Sequence, residues 1–512
     1  MSDRTRTTIA FLLIIGVLFM WTILSKPKIK PEAVQPDTLD TPSAITEPVE
    51  KTPTIPIIPE HTDIIVVEKK NFRMVLSPAG GSVKEFYLRE YDIDVVPDGE
   101  YLFVTQINND EIINFEYLAD DDSVVFTYNN EDINLSKVYY FNNPHGFQLT
   151  TNFSNITDQI LSLKSGISIT EFRNKGEDLR HFSVYVKNEK VNEMKKKIKD
   201  TFKYTGDVDW FALRSKYFLL VINNLGIIDG INFYKLPKDL PLKTADRKED
   251  RTDIYSAAFG CFYMRGGGDR YGAEIMGPDK INISVLLLPI KHSELAKFEK
   301  GYEGVASGGI MGPISRIILL VFNFFYSIIR NYGFAIMLFA FLIKSVFFPL
   351  SKKMIQSQHK MQMIQPEMKK LQKKYKEDAQ RLNQEMMHLY KTYKVNPFGG
   401  CLPLLIQMPI FFALYQTLIT SIEFRQAPFI LWITDLSFKD PYYILPIAMG
   451  VMMLVQSLFT VVDPRQKFMV IIMPVFMVFI FLNFPSGLQL YWFTYNILTL
   501  VEHVITKRGG IK

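Results

Sequence analysis

Apolar residues are spread unevenly along this chain. Residues 1–25 and 313–505 carry nearly all the long apolar runs, whereas 26–300 are polar and mixed. The first run, Ile9 to Leu24, follows Arg4 and Arg6; with Thr7 and Thr8 it reaches 18 residues. That is about 27 Å of helix, enough to cross a hydrocarbon layer. Ser25-Lys26-Pro27-Lys28 offers no small-x-small cleavage site, so the pattern predicts an uncleaved signal anchor over 1–25 with its N-terminus in the cytoplasm. From 26 to 59 about one residue in four is proline and aromatics are absent, which predicts a semi-extended linker.

Residues 60–305 show short alternating segments such as "TDIIVVEKK", "SVVFTYN" and "YFLLVINN", split by Asn-Asn, Asn-Pro and Pro-Ala-Gly-Gly. This spacing predicts a many-stranded β-sandwich. Residues 306–330 are apolar but broken by Arg316, Asn323 and Arg330, which reads as an amphipathic helix lying in a membrane interface. Further spans are predicted at 331–350, 400–422, 442–462, 468–484 and 487–505. With the anchor, the chain becomes a polytopic α-helical membrane protein of six spans with a large external β domain.

Loop charge sets the orientation. Between 351 and 394 there are 11 basic residues against 4 acids, which places the 351–399 loop in the cytoplasm. Loop 423–441 carries Arg425 and Lys439 against three acids and faces out. Turn 463–467, with Arg465 and Lys467, and the basic tail 506–512 face in. Both termini are therefore expected inside. Within the cytoplasmic loop Met354, Met361, Met368, Tyr375, Leu382 and Leu389 recur every seven residues, a seam for an antiparallel helical hairpin turning near Glu377-Asp378. Its methionines read either as hairpin core or as an adaptable client surface. Lys369, Lys370, Lys373 and Lys374 read as a solvated face or as a contact for anionic lipid or ribosomal RNA.

Composition changes this picture little. The 40 Phe and 25 Tyr exclude a disordered chain, and two cysteines, Cys261 and Cys401, exclude a disulfide scaffold. The formal charge of +5 gives no reason to expect a specific nucleic-acid sequence as partner. His61, His145, His181 and His292 lack metal-ligand spacing. Gly266-Gly267-Gly268 reads as a turn, since no P-loop frame surrounds it, and Lys195-Lys196-Lys197 reads as a solvated loop. No catalytic constellation, metal site or cofactor is expected, and the chain is not expected to be an enzyme.

The candidate chemistry lies in the spans. Lys344 sits inside the second, where a charge near the centre costs about 2.5–3.5 kcal/mol. It either snorkels to the cytoplasmic side or faces a wet cavity. Gln407 stands at a similar depth in the third span. Gln489 and Asn496 flank Trp492 in the last, and Gln456 lies in the fourth. Lys344 and Gln407 at matched depth predict one polar cavity open to the cytoplasm.

The strings "KVNPFGGCLPLLIQMPIFFALY", "QAPFILWITDLSFKDPYYILPIAMG" and "FPSGLQLYW" resemble the YidC/Oxa/Alb family of membrane protein insertases, Gram-negative type. The resemblance is specific over about 313–505 and weaker over 60–300. It implies an inner-membrane insertase and chaperone acting alone or beside the Sec translocon (SecYEG, SecDF). Clients would be nascent membrane proteins, held in a hydrophilic groove open to cytoplasm and lipid. Lys344 falls where many relatives carry arginine, and Gln407 matches a groove glutamine. Phe411 and Trp492 fall where relatives touch the passing segment; Asn496 completes the expected groove. Ala340 replaces a hydroxyl residue of some relatives. The family also implies that the 60–305 domain is a periplasmic β-supersandwich. With no long basic tail, ribosome contact would fall to the loops at 351–394 and 463–467. A secondary transporter or channel is the alternative, and would need an internal repeat. An envelope enzyme or sugar-binding receptor would need convergent carboxylates in the outer domain.

Overall fold

The computed structural model describes residues 63–96, 101–107, 111–130, 133–154, 161–167, 181–194, 198–199, 201–226, 228, 230–236, 270–277, 280–306, 312–376, 378–393, 402–460 and 467–508. The expected anchor, linker, lysine run at 195–197, glycine run at 266–268, both cysteines and most of the 463–467 turn lie outside them.

Three antiparallel sheets form the first half. The largest runs, in spatial order, Val191–Glu193, Ser183–Lys187, Trp210–Arg214, Phe218–Asn224, Lys280–Pro289, Gly146–Ser154, Asn134–Asn143, Ser123–Asn129 and Glu116–Ala119. A six-stranded sheet runs Thr201–Tyr204, Gly230–Leu236, Arg270–Gly277, Leu161–Ser165, Val104–Ile107 and Glu111–Ile112. A four-stranded meander covers Ile65–Asp94. Alternate residues of all three meet in one core that includes Phe72, Phe86, Phe126, Tyr139, Phe147, Leu163, Phe233 and Ile275.

Two strands break the alternation for a physical reason. Trp210–Arg214 and Phe218–Asn224 bury nearly every residue. Their outer face is covered by the helical turns between His292 and Ala306, which bring Leu295, Tyr302 and Val305 against Trp210, Leu219 and Leu288. A strand covered on both faces has no polar side to show. The buried core also holds a lysine: Lys137 donates to the carbonyls of Gly80 and Phe103 and to Thr105 Oγ1.

The second half is helical: α1 (Gly312–Ile329), α2 (Tyr332–Met363), α3 (Gln365–Lys374), α4 (Ala379–Thr392), α5 (Leu402–Thr420), α6 (Ile444–Thr460), α7 (Lys467–Phe481) and α8 (Ser486–Arg508). Of these, α1 and α2 are long and apolar enough to cross a membrane; Ile444–Ser457 and Ile472–Phe481 are shorter apolar stretches. Helix α1, expected to lie in an interface, thus meets the length and hydropathy of a span, and it exposes Ile317, Leu320, Phe324 and Ile328.

Helix α2 starts where Asn331 caps it, accepting from the N–H groups of Gly333 and Phe334. It does not stop near Leu350 but passes through Pro349 to Met363. Pro349 removes one donor without ending the helix, as membrane helices tolerate. The chain then bends into α3, with Pro366 in its first turn, and α4 returns antiparallel after a turn at Tyr375–Asp378. Asp378 caps α4 by accepting from Arg381 N–H. Ile364, Met368 and Leu389 fill the hairpin, with Met361, Leu371, Met386 and Tyr390 around them. Met354 is buried on α2, outside that cluster. Lys369, Lys370, Lys373 and Lys374 are exposed.

The two halves meet at the segment after α5. Ile422 is buried in the same cluster as the β-sheet core, and Arg425 Nη1 donates to the Tyr91 carbonyl at 3.1 Å.

Candidate functional site

The site is built on the facing surfaces of α2, α5 and α8. On α8 the residues Gln489, Trp492, Asn496, Thr499 and Glu502 follow steps of three and four, so they share one helix face. Tyr491 and Tyr495 form the adjoining stripe. Each step brings a polar group into an otherwise apolar bundle whose core includes Phe322, Ile336, Phe339, Leu414, Leu418 and Leu488.

Lys344 lies on α2. It is 7% exposed, and its Nζ lies 2.7 Å from Glu502 Oε2. It donates to Thr499 Oγ1 at 2.9 Å and approaches Ser351 Oγ at 3.4 Å. The Tyr495 ring lies 4.8 Å away, within cation–π range. Ser351 donates to the same Glu502 oxygen at 2.7 Å. A buried charge persists only when paired and hydrogen-bonded, and here each partner supplies that for the other.

Gln407, on α5, donates through Nε2 to the Tyr491 hydroxyl. Tyr491 and Tyr495 have ring centroids 6.1 Å apart. Lys344 and Gln407 are therefore not in direct contact; α8 joins them through its tyrosine stripe. Ala340, one turn before Lys344, is buried in the bundle core.

Phe411 and Trp492 meet edge to face at 5.4 Å. Both also pack on Phe481 of α7, at 5.9 and 5.4 Å, which makes an aromatic wall beside the polar track. Trp492 Nε1, Asn496 Nδ2 and Glu502 Oε1 are buried without a hydrogen-bond partner among the described residues. Unmet donors and acceptors of this kind are costly in a low-dielectric interior.

The loop between α5 and α6 packs on the bundle through Phe424, Ile433 and Leu436. Asp440 is fully buried and accepts from Trp432 Nε1 at 3.0 Å and from the N–H groups of Tyr442 and Leu445. Ser486 and Gly487, at the start of α8, donate to the Phe438 and Leu436 carbonyls. The "FPSG" turn is thereby stitched to the loop that covers it.

Sequence reasoning missed Ser351, Tyr491, Tyr495, Thr499 and, above all, Glu502. The signal was present: an acid inside the last apolar run, seven residues after Tyr495 and three after Thr499. In the β-sheet half a cavity of about 480 Å³ is lined by Tyr91, His145, Lys291, Glu294, Lys297 and Phe298, among others. Its Glu294 is committed to Lys297 at 2.6 Å, which holds that carboxyl below its usual range. No group of three or more His, Cys, Asp or Glu among the described residues is placed to hold a metal ion.

A β-sheet-rich domain joined to membrane helices that bury an ion pair in their bundle defines a class of integral membrane protein. Comparison with known proteins makes this specific. A family model described as "60Kd inner membrane protein" matches residues 324–512. The membrane protein insertase YidC of Geotalea daltonii (strain FRC-32) is 32% identical over 552 aligned positions, covering 98% of this chain and 99% of that protein. The insertase YidC of Geobacter sulfurreducens is 48% identical over 203 residues, 39% of this chain and 38% of its own. Among solved structures, an active YidC insertase with its first transmembrane domain resolved covers 86% of this chain and 91% of its own. It is 19% identical, with a TM-score of 0.40. A galactose mutarotase-like protein from Lactobacillus casei covers 44% of this chain at 9% identity, with a TM-score of 0.30. The chain belongs to the YidC family of membrane protein insertases, inner-membrane proteins that are not an enzyme family.

Proposed function

We propose that this insertase moves its clients through the groove between α2, α5 and α8. The carrying observation is the buried polar track from Lys344, Thr499 and Glu502 to Tyr491 and Gln407, walled by Phe411 and Trp492. A client's polar outer segment must cross hydrocarbon. A polar track partway through the bundle shortens that crossing, and the client's apolar segment leaves past the aromatic wall into lipid. Hydrophobic transfer drives the net step, so no nucleotide is required.

In this reading the chain has six spans, with both termini in the cytoplasm. The 60–305 domain is a periplasmic β-supersandwich, and the groove opens to the cytoplasm. The loop sealed by Asp440 closes the periplasmic end. The α3–α4 hairpin, with Met361, Met368 and its four exposed lysines, and Met354 beside it, meets nascent membrane proteins, the ribosome or anionic lipid. The Sec translocon (SecYEG, SecDF) is a further partner. Loop charge supports the orientation, and family membership supports the clients.

Site-directed photo-cross-linking tests it. A photoreactive residue at Phe411 or Trp492 is expected to capture a ribosome-stalled client, whereas one at lipid-facing Val475 of α7 captures it weakly or not at all. Equal capture from all three positions would defeat the groove reading.

A further inference from the structure

The groove holds two charges rather than one, and they are not equally satisfied. The Lys344 ammonium has three hydrogens and three neighbouring acceptors. These are Glu502 Oε2 at 2.7 Å, Thr499 Oγ1 at 2.9 Å and Ser351 Oγ at 3.4 Å. The Tyr495 ring shields it further. Glu502 is 4% exposed. Its Oε2 takes both Lys344 and Ser351, while its Oε1 is buried with no hydrogen-bond partner among the described residues. The cation is therefore saturated, and the open acceptor belongs to the acid.

We propose that Glu502 is a specificity-determining residue of the groove. It is an internal counter-ion that occupies Lys344 until an acidic side chain of the client takes its place, and its open oxygen accepts a basic one. The proposal rests on the reading that clients pass through this groove.

The physical argument is one of differences. A lone buried lysine attracts any passing carboxylate strongly, because the low dielectric magnifies the interaction. With Glu502 already there, an acidic client side chain gains only the difference between its own pairing and the one it displaces. A paired groove thus sorts clients weakly by charge, and a bare cation sorts them strongly. Glu502→Gln keeps the side chain's shape and an oxygen for Ser351, but leaves Lys344 without its counter-charge.

The test uses the full chain in liposomes without ATP and one small single-spanning client in three versions. One position of its translocated segment carries Asp, Asn or Lys. Insertion is scored by protease protection, and the readout is each charged client relative to the Asn client. That ratio cancels a general loss of active protein. In Glu502→Gln the Asp:Asn ratio is expected to rise about fivefold or more over wild type, the lower end of ordinary coupling between two groups. The Lys:Asn ratio is expected to fall. The reversed pair, Lys344→Glu with Glu502→Lys, restores the counter-ion and should return both ratios to near wild type. Unmoved ratios in Glu502→Gln, or a high Asp:Asn ratio in the reversed pair, would overturn the proposal while leaving the groove standing. Wild type no better than empty liposomes with all three clients would overturn the groove reading and this proposal with it.

Discussion

The amide nitrogen of Gln407 on α5 donates to the hydroxyl of Tyr491 on α8, and both side chains are buried. This bond ties the two helices that carry Phe411 and Trp492. Tyr491→Phe removes the acceptor and leaves the amide facing hydrocarbon. Interhelical hydrogen bonds in membranes average about 0.6 kcal/mol and reach about 1.7. A loss in that range is expected in detergent unfolding. No change would show that the bond does not hold α5 to α8.

Lys137 is a buried lysine of a different kind, held by two carbonyls and a hydroxyl, with no carboxylate partner among the described residues. Burial pushes its ammonium well below its ordinary range. Lys137→Met leaves those acceptors unmet at about 1–3 kcal/mol. The sign of the pH effect follows. The unfolded chain binds more protons than the folded one between the lowered value and the ordinary 10.5, so wild type gains stability as pH rises through that window. The Met variant lacks this gain, and the gap between the two melting curves should widen toward alkaline pH.

Glu423 lies at the junction of the two halves, one residue after Ile422. Both its carboxylate oxygens are buried without a hydrogen-bond partner among the described residues. Burial raises its carboxyl above the ordinary 4.5, against the smaller pulls of its own backbone N–H and of Lys291. The folded state thus holds the proton more tightly. Its contribution is fully present below 4.5 and is lost as pH rises through the raised value. Glu423→Gln should match wild type at the acid end and melt higher above that window. A constant offset between the two at every pH would contradict this.

Gly333 opens α2 beneath Phe429. A Cβ there would lie 2.0 Å from Phe429 Cδ2 and 2.4 Å from Cγ. Gly333→Ala must therefore move the ring, and overpacking of this kind costs about 1–3 kcal/mol. Phe429→Ala removes both of those ring atoms. The double variant is expected to be more stable than the sum of the two single losses, as residues in contact couple.

Much of this arrangement was legible in the chain. The alternation in "SVVFTYN" marks a strand with one face in the core, and the heptad through Met361 and Met368 marks the hairpin that forms. Lys344 and Gln407, expected at matched depth, are both buried and linked through the α8 tyrosines. Other features depend on contacts far apart in sequence. "WFALR" and "FLLVIN" lose their alternation because residues 292–306 cover the outer face. Pro349-Leu350-Ser351-Lys352 reads as the end of a span, yet α2 runs on, and Ser351 meets Lys344 and Glu502 beyond the proline. Glu502 lies just before the basic tail and reads as one more end charge. Only the crossing of α2 and α8, 158 positions apart at Lys344 and Glu502, makes it a partner. That Ile422 enters the β-sheet core has no local signature at all.

In the groove reading, the charged pair inside the bundle serves insertion. The most direct measurement is insertion of a small single-spanning client, bearing an acid in its translocated segment, into liposomes holding only this protein and no ATP. Wild type, Lys344→Ala and Lys344→Arg would be compared at matched, folded amounts. The account predicts that wild type and Lys344→Arg insert the client while Lys344→Ala falls by about tenfold, the equivalent of about 1.4 kcal/mol. Equal insertion by wild type and Lys344→Ala would contradict it and leave the groove to work through shape and general polarity alone.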